Sequence, residues 1–216
     1  MNANSRNDVM KEKRIQARAK RTFDIVFAVL GLLVFLIPIM VISLALLASQ
    51  GRPIVFRQKR PGLNEAPFEL VKFRTMIPQD DGRLVGSAID ADAGRLTSAG
   101  RWLRATSLDE LPTLWNVLKG EMSIVGPRPL LMQYLPLYDS EQRRRHLMRP
   151  GITGLAQVNG RNGLPWEKRF EYDVRYIDNW SLLLDWKILF LTVYKVVTRD
   201  GISAPGSATS PPFRRP

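Results

Sequence analysis

The chain has no cysteine and one histidine in 216 residues, and its acids are outnumbered, 20 Asp and Glu against 32 Lys and Arg. Without cysteine there is no disulfide framework, no thiolate nucleophile and no Cys-based zinc site. A single histidine excludes a His-rich metal centre and leaves His146 as the only imidazole base. Its setting, the basic run EQRRRHLMRP, points to a solvated residue. Any reactive groups are therefore carboxylates, hydroxyls or lysines. Carboxylates unaccompanied by His or Cys suit a hard cation such as Mg²⁺. The net charge of +12 asks for a polyanionic partner, a nucleic acid or an anionic membrane face. The length suits one domain with an appendage and is enough to bury a core.

A second absence is local. From Ile25 to Ala48 the chain reads IVFAVLGLLVFLIPIMVISLALLA, with no charged residue and Ser43 as its one polar side chain. About 20 apolar residues suffice to cross a bilayer. The run is too long for a signal peptide, and no small-residue cleavage site follows it. Spanning helices concentrate Lys and Arg on their cytoplasmic side. Here both flanks are basic: Arg14, Arg18, Lys20 and Arg21 precede the run, and Arg52, Arg57, Lys59 and Arg60 follow it. Pro38 near the middle removes a backbone hydrogen bond and breaks the helix. These features favour a re-entrant helix bent at Pro38 over an ordinary spanning helix. The expected organisation is a basic segment over 1–21, the re-entrant membrane helix over 22–50, a membrane-associated catalytic domain over 51–202 and a flexible tail over 203–216.

The fold expected beyond the apolar run is α+β, mostly helical with a small β-hairpin region. PIVFRQKRPGLNEAPFELVKFRTM predicts two strands around a turn at PGLNEAP. Residues 80–97 predict a surface loop, and 99–120 an amphipathic helix capped at Thr106 or Ser107, in which Pro112 fits only if a new helix starts there. MSIVGPRPLL predicts a short strand entering a rigid turn. LYDSEQRRRHLM and PWEKRFEYDVRYIDNWS predict helices, with the turn-rich RPGITGLAQVNGRNG between them. SLLLDWKILFLTVYKVV is apolar but carries Asp185 and Lys187, which suits an interfacial amphipathic helix or a buried core helix.

Within SLDELPTLWNVLKG, Asp109 and Glu110 are adjacent among leucines. Two neighbouring carboxylates repel, and uncompensated, one pKa rises. The commonplace reading is an acidic first turn favoured by the helix dipole. The surroundings shift it toward chemistry. Lys72 and Arg74 lie on a predicted strand, and GPRP presents Arg128, whose planar fork suits phosphate. Arg149, Arg161 and several glycines add cations and approachable backbone amides. Carboxylates, cations and Mg²⁺ around a phosphate fit phosphoryl transfer through an aspartyl-phosphate.

The motifs KRTFDIVFA, QKRPGLNEAPFELVKFRTM, SLDELPTLWNVLKGEMSIVGPRPLL, YLPLYDSEQRRRHLMRPGITGLAQVNGRNG and WEKRFEYDVRYIDNWSLLLDWKILF, in this order, resemble the monotopic phosphoglycosyltransferases, the bacterial sugar transferase family. The resemblance covers residues 20–209 and is nearest to the small single-domain members that start protein N-glycosylation or glycan assembly. It implies transfer of a phospho-sugar from a UDP-sugar to undecaprenyl phosphate, with release of UMP, by a ping-pong route. Asp109 is then the nucleophile and Mg²⁺ ligand, and Glu110 handles a proton. Lys72, Arg74, Gly126, Arg128, Arg149, Arg161 and Asp173 become substrate-binding residues. It also implies a re-entrant helix at the cytoplasmic face of the bacterial inner membrane, with membrane lipid as a partner and no nucleic acid. A homo-oligomer and other glycan-assembly enzymes are admitted as partners, and UDP-N,N′-diacetylbacillosamine is the first guess for the donor. Where close relatives have Ser-Pro at the helix break, this chain has Ile37-Pro38. A non-catalytic basic membrane-binding scaffold is the competing reading, and it leaves the carboxylate pair unexplained.

Overall fold

The structure is a computed structural model that describes residues 3–77, 95–160, 163–198 and 212–213, with residues 3–14 described by backbone alone. It is α+β and mostly helical, with two small sheets. Helix α1 (Ala3–Val34) and helix α2 (Leu36–Gln50) carry the apolar run and are bent by 60°. No single described helix is long and apolar enough to cross a membrane, whereas this bent pair meets the length and composition together. The break corrects the expected position. It falls at Phe35 (φ −94°, ψ 10°), and Pro38 lies in the first turn of α2. Proline has no N–H for the carbonyl four residues back, here Val34, and its ring crowds that carbonyl. The distortion is therefore displaced upstream, while a first helical turn tolerates the proline itself. Phe35 N–H still reaches Gly31 O at 2.9 Å and Ile39 N–H reaches Phe35 O at 2.8 Å, so the chain kinks without looping out. Ser43 adds curvature by donating its hydroxyl back to Ile39 O at 2.7 Å.

Strands β1 (Val55–Pro61) and β2 (Pro67–Phe73) form the expected antiparallel hairpin, with Arg60 opposite Phe68 and Phe56 opposite Lys72. The stretch 99–120 is three pieces. Helix α3 (Ser98–Ala105) is capped by Thr97, whose Oγ1 accepts from Gly100 N–H at 2.9 Å, not at Thr106 or Ser107. Ser107 instead takes a left-handed backbone (φ 58°), which is uncommon outside glycine, and turns the chain into a 3-10 turn over Leu108–Glu110. Helix α4 (Thr113–Lys119) then starts directly after Pro112. Strand β3 (Ser123–Val125) pairs in parallel with β4 (Gly151–Thr153), a strand hidden in what reads as a turn-rich segment because three residues show no periodicity. Short helices α5 (Ser140–Arg143) and α6 (Leu155–Val158) lead to α7 (Trp166–Asp178) and α8 (Leu182–Thr198).

The main core joins Ala28 of α1, Leu70 of β2, Val117 of α4, Val125 of β3, Tyr176 of α7 and Ile188 of α8. Helix α8 buries Asp185 and Ile188 and exposes Leu183, Phe190, Val193 and Val197. It is thus a half-buried helix with a second apolar face. His146 corrects the solvated expectation: it is 6% exposed, its ring 5.8 Å from that of Tyr138. Burial, helped by Arg145, pushes its pKa down to about 4, so it is neutral. Of the tail, only Pro212 and Phe213 are described. Phe213 is buried among Tyr134, Tyr138, Trp166 and Phe170.

One polar cluster lies inside this core. Lys20 Nζ donates to Asp185 Oδ2 at 2.7 Å, Trp180 donates to the same oxygen at 3.3 Å, and Tyr176 donates to Asp185 Oδ1 at 2.7 Å. Asp24 accepts from Ile124 N–H at 3.0 Å and from the Ser123 hydroxyl at 2.9 Å. Removing one partner of a buried ion pair strands the other, at a cost of about 3–5 kcal/mol. Asp185→Ala is therefore expected to lower the thermal unfolding midpoint sharply in detergent. Lys20→Met is expected to cost still more, because it removes the cation from Asp24, 3.8 Å from Nζ, as well as from Asp185, as measured by differential scanning fluorimetry.

Candidate active site

The site is assembled where β2, the Leu108–Glu110 turn and the segment after β3 converge. Asn116 of α4, fully buried, accepts from Val71 N–H at 3.1 Å and donates to Glu69 O at 2.7 Å. This locks α4 along β2 and sets the height of Lys72. Gly100 is equally constrained: a Cβ there would sit 2.0 Å from Thr75 O, so only glycine lets α3 approach the end of β2. The 3-10 turn rests on an apolar floor. Leu108 and Leu111 pack with Leu103, Phe73 and, from α2, Ile39, Ile42 and Leu46. The leucines around the carboxylate pair thus seat it against the bent helix pair.

The two carboxylates have opposite environments. Lys72 Nζ donates to Glu110 Oε1 at 2.5 Å, and Arg128 donates to the same oxygen at 2.9 Å. Burial pushes the Glu110 pKa upward, but Arg128 and Lys72 outweigh it and hold it down at about 2. Asp109 has no hydrogen-bond or ion-pair partner among the described residues. Burial first and the Glu110 charge second raise its pKa to about 6, against the pull of Lys72, Arg104 and Arg128. One acid is a fixed counter-ion, and the other is an unengaged carboxylate. Beside Glu110 opens a cleft of about 400 Å³, solvent included, lined by Arg60, Lys72, Glu110, Thr113, Arg128 and Gly151 among others, with Asp109 outside its lining.

The GPRP turn holds Arg128 in place from behind. Gly126 donates its N–H to Thr153 O at 2.9 Å, and a Cβ on it would lie 2.4 Å from Arg149 O. Gly126 therefore permits the turn without itself reaching the cleft. Asp173 also acts from behind. It is 3% exposed and ion-paired to Arg145 at 2.6 Å, and Arg145 donates to the backbone oxygen of Arg128 at 2.8 Å. Its link to the site is this brace, not an open carboxylate.

Two expected ligands lie elsewhere. Arg74, 7% exposed, donates to Gln50 O at 2.5 Å and Gly51 O at 3.0 Å, closing the end of α2. Arg149 donates to Gly120 O at 2.7 Å, and Arg21 donates to Val117 O and Leu118 O. Both thus cap the carbonyl end of α4, where cations are favoured. Arg161 lies outside the described residues. The structure also brings in residues the motifs do not single out. Arg104 donates to Thr75 Oγ1 at 3.0 Å on the Asp109 side, and Arg60 lines the cleft beyond Arg128. The QKRPG motif carries the signal for the latter.

A family model described as bacterial sugar transferase matches residues 15–199. The chain belongs to the bacterial sugar transferase family. It is 51% identical over 198 residues to the uncharacterized sugar transferase EpsL of Bacillus subtilis (strain 168), an alignment covering 90% of this chain and 95% of that one. It is 45% identical over 185 residues to the UDP-glucose:undecaprenyl-phosphate glucose-1-phosphate transferase of Escherichia coli (strain K12), covering 82% of this chain but 39% of that longer protein. The exopolysaccharide production protein ExoY of Rhizobium meliloti (strain 1021) is 39% identical over 202 residues, covering 87% and 89%.

The unequal environments predict opposite stability effects. A carboxyl whose pKa is raised on folding is disfavoured when ionised, so Asp109 begins to oppose folding above its unfolded value of about 3.9 and does so fully above about pH 6. Asp109→Asn is expected to stabilise by about 1–2 kcal/mol at pH 8, the gain disappearing as pH falls from about 6 toward about 4. Glu110→Gln leaves Lys72 and Arg128 without their counter-ion and is expected to destabilise by about 1–3 kcal/mol. Thermal melts of both variants at about pH 8 and about pH 4.5 measure this.

Proposed function

We propose that the chain transfers a phospho-sugar from a UDP-sugar to undecaprenyl phosphate, through a covalent phospho-sugar on Asp109. The observation that carries this reading is the unengaged Asp109 carboxylate beside a second acid already spent on two cations. An Asp109 oxygen attacks the sugar-linked phosphorus, the bond to the nucleotide phosphate breaks, and UMP leaves with the electron pair. An oxygen of the lipid phosphate then attacks the same phosphorus and returns Asp109 as a carboxylate. Lys72 and Arg128 offset charge on the phosphoryl oxygens. As they turn to phosphate, Glu110 loses its counter-ions and becomes basic enough to take a proton from the incoming acceptor.

Mg²⁺ fits this donor set. Among the described residues no group of three or more metal-binding side chains exists, but Mg²⁺ is commonly held by one or two carboxylates plus substrate phosphates. Asp109 would hold it with the diphosphate, and the ion would supply neutralising charge at the reacting phosphate.

The bent helix pair is read as re-entrant, entering and leaving on the cytoplasmic face of a bacterial inner membrane. Leu33, Val34, Ile37 and Leu44 at the bend and along α2 are each more than 60% exposed, a surface that calls for lipid. Trp102 of α3 and the outer face of α8 would lie in the interface. Relatives named for glucose and galactose transfer weigh the donor toward UDP-glucose or UDP-galactose and away from UDP-N,N′-diacetylbacillosamine.

With UDP-sugar labelled in the β-phosphate, the protein in nanodiscs is expected to acquire a stoichiometric label that undecaprenyl phosphate discharges. Asp109→Asn should take up none; normal labelling of that variant would sink the assignment. Attack requires ionised Asp109, so adduct formation should be lost as falling pH protonates it, read by quenched-flow labelling.

A further inference from the structure

We propose that Arg60 binds the phosphate of the departing nucleotide, forming with the open side of Arg128 an anion subsite distinct from the attacking carboxylate. This rests on the transferase reading above and adds to it which phosphate goes where. Arg60 ends β1 and lines the cleft with Lys72, Glu110 and Arg128. Its one good hydrogen bond runs from Nη2 to Gln58 Oε1 at 2.6 Å. Nη1 reaches Pro129 O at only 3.4 Å, and the buried Nε has no partner. No carboxylate lies within ion-pair distance of it among the described residues.

The other cations of this region are differently placed. Lys72 and Arg128 share Glu110, and Arg145 has Asp173. A half-buried guanidinium that meets another cation instead of an acid is costly unless an anion joins it. Burial, and then Arg128, push the Arg60 pKa down to about 10, which records the same imbalance.

The position decides which anion. Leu108 and Leu111 seat the turn that carries Asp109 against α2, and Arg128 acts electrostatically on both Asp109 and Arg60, which do not act on each other. Arg60 lies past Arg128, toward Pro129 and the tyrosines Tyr134 and Tyr138. A diphosphate with its sugar-linked phosphorus at Asp109 extends its second phosphate along Arg128 to Arg60. A lipid phosphate arriving from the apolar helices meets Asp109 first and leaves Arg60 untouched.

The test uses the full chain in nanodiscs, with Arg60→Gln and Arg60→Lys. Direct titration with UMP and with uridine is paired with KM values for UDP-glucose and undecaprenyl phosphate. Removing a charge-assisted hydrogen bond from a cleft predicts about a 10- to 100-fold weaker UMP affinity and a like rise in the UDP-glucose KM for Arg60→Gln. Arg60→Lys, which keeps the charge without the fork, should fall between. Uridine affinity and the lipid KM should stay within about twofold. Unchanged UMP affinity overturns the subsite, as does a change confined to the lipid KM, which would make the lipid its source. An equal loss for UMP and uridine marks a distorted cleft and overturns it too. If the unaltered protein binds no UMP and releases none from any UDP-sugar, the transferase reading falls and this subsite with it.

Discussion

Lys20 and Asp185 stand 165 positions apart and meet at 2.7 Å, with 9% and 0% of their side chains exposed. Neither charge is tolerable at that depth alone, so each fixes the other. The pair joins the last polar turn of α1 to α8, and Asp24, one turn on, ties α1 to the backbone of β3. The apolar helix thus leaves the body of the protein from a defined point and direction. Everything downstream inherits that placement. The bend at Phe35 sends α2 back, and Ile39, Ile42 and Leu46 of α2 make the floor on which Leu108 and Leu111 rest. The carboxylate pair is positioned by a membrane-type helix because that helix is itself pinned by a buried charge.

Two neighbouring acids acquire different characters for a geometrical reason. In a 3-10 turn, successive side chains diverge by about 120°. Glu110 is directed at Lys72 and Arg128, and Asp109 at neither. The cations hold one pKa near 2, and burial beside that fixed negative charge lifts the other to about 6. Separating two titratable groups in this way leaves one as a counter-ion and the other unengaged. The left-handed Ser107 just before them supplies the turn that a continuous helix from 99 to 120 would have denied.

The hairpin, the helix restart after Pro112 and the association of Lys72, Glu110 and Arg128 are all legible in the sequence, because each rests on local chemistry or on an ordered set of motifs. The arginines are less legible. Arg74, Arg149 and Arg128 are the same residue type, and a guanidinium that closes helix carbonyls looks like one awaiting phosphate until the fold is seen. Asp173 and His146 mislead for a related reason: the helical character of LYDSEQRRRHLM is legible, but not that it folds inward so that Arg145 pairs with Asp173 and Tyr138 packs on His146. The proline at position 38 does signal a break, but its effect falls on Val34, one turn back, so the break appears at Phe35.

The cleft offers the same three cations, Arg60, Lys72 and Arg128, to whatever anion enters it. In the proposed reaction two anions must use it, a lipid phosphate confined to the bilayer and a water-soluble nucleotide sugar. A direct transfer would need both phosphates at the reacting centre at once, crowding two highly charged groups against Lys72 and Arg128. A carboxylate that first accepts and then yields the phosphoryl group lets them use the same cations in turn. That use requires an acid free of structural duty next to one that keeps the cations in place while the cleft is empty. In the proposed reaction Asp109 and Glu110 would divide those tasks, a physical reason for two adjacent carboxylates in a chain so rich in positive charge.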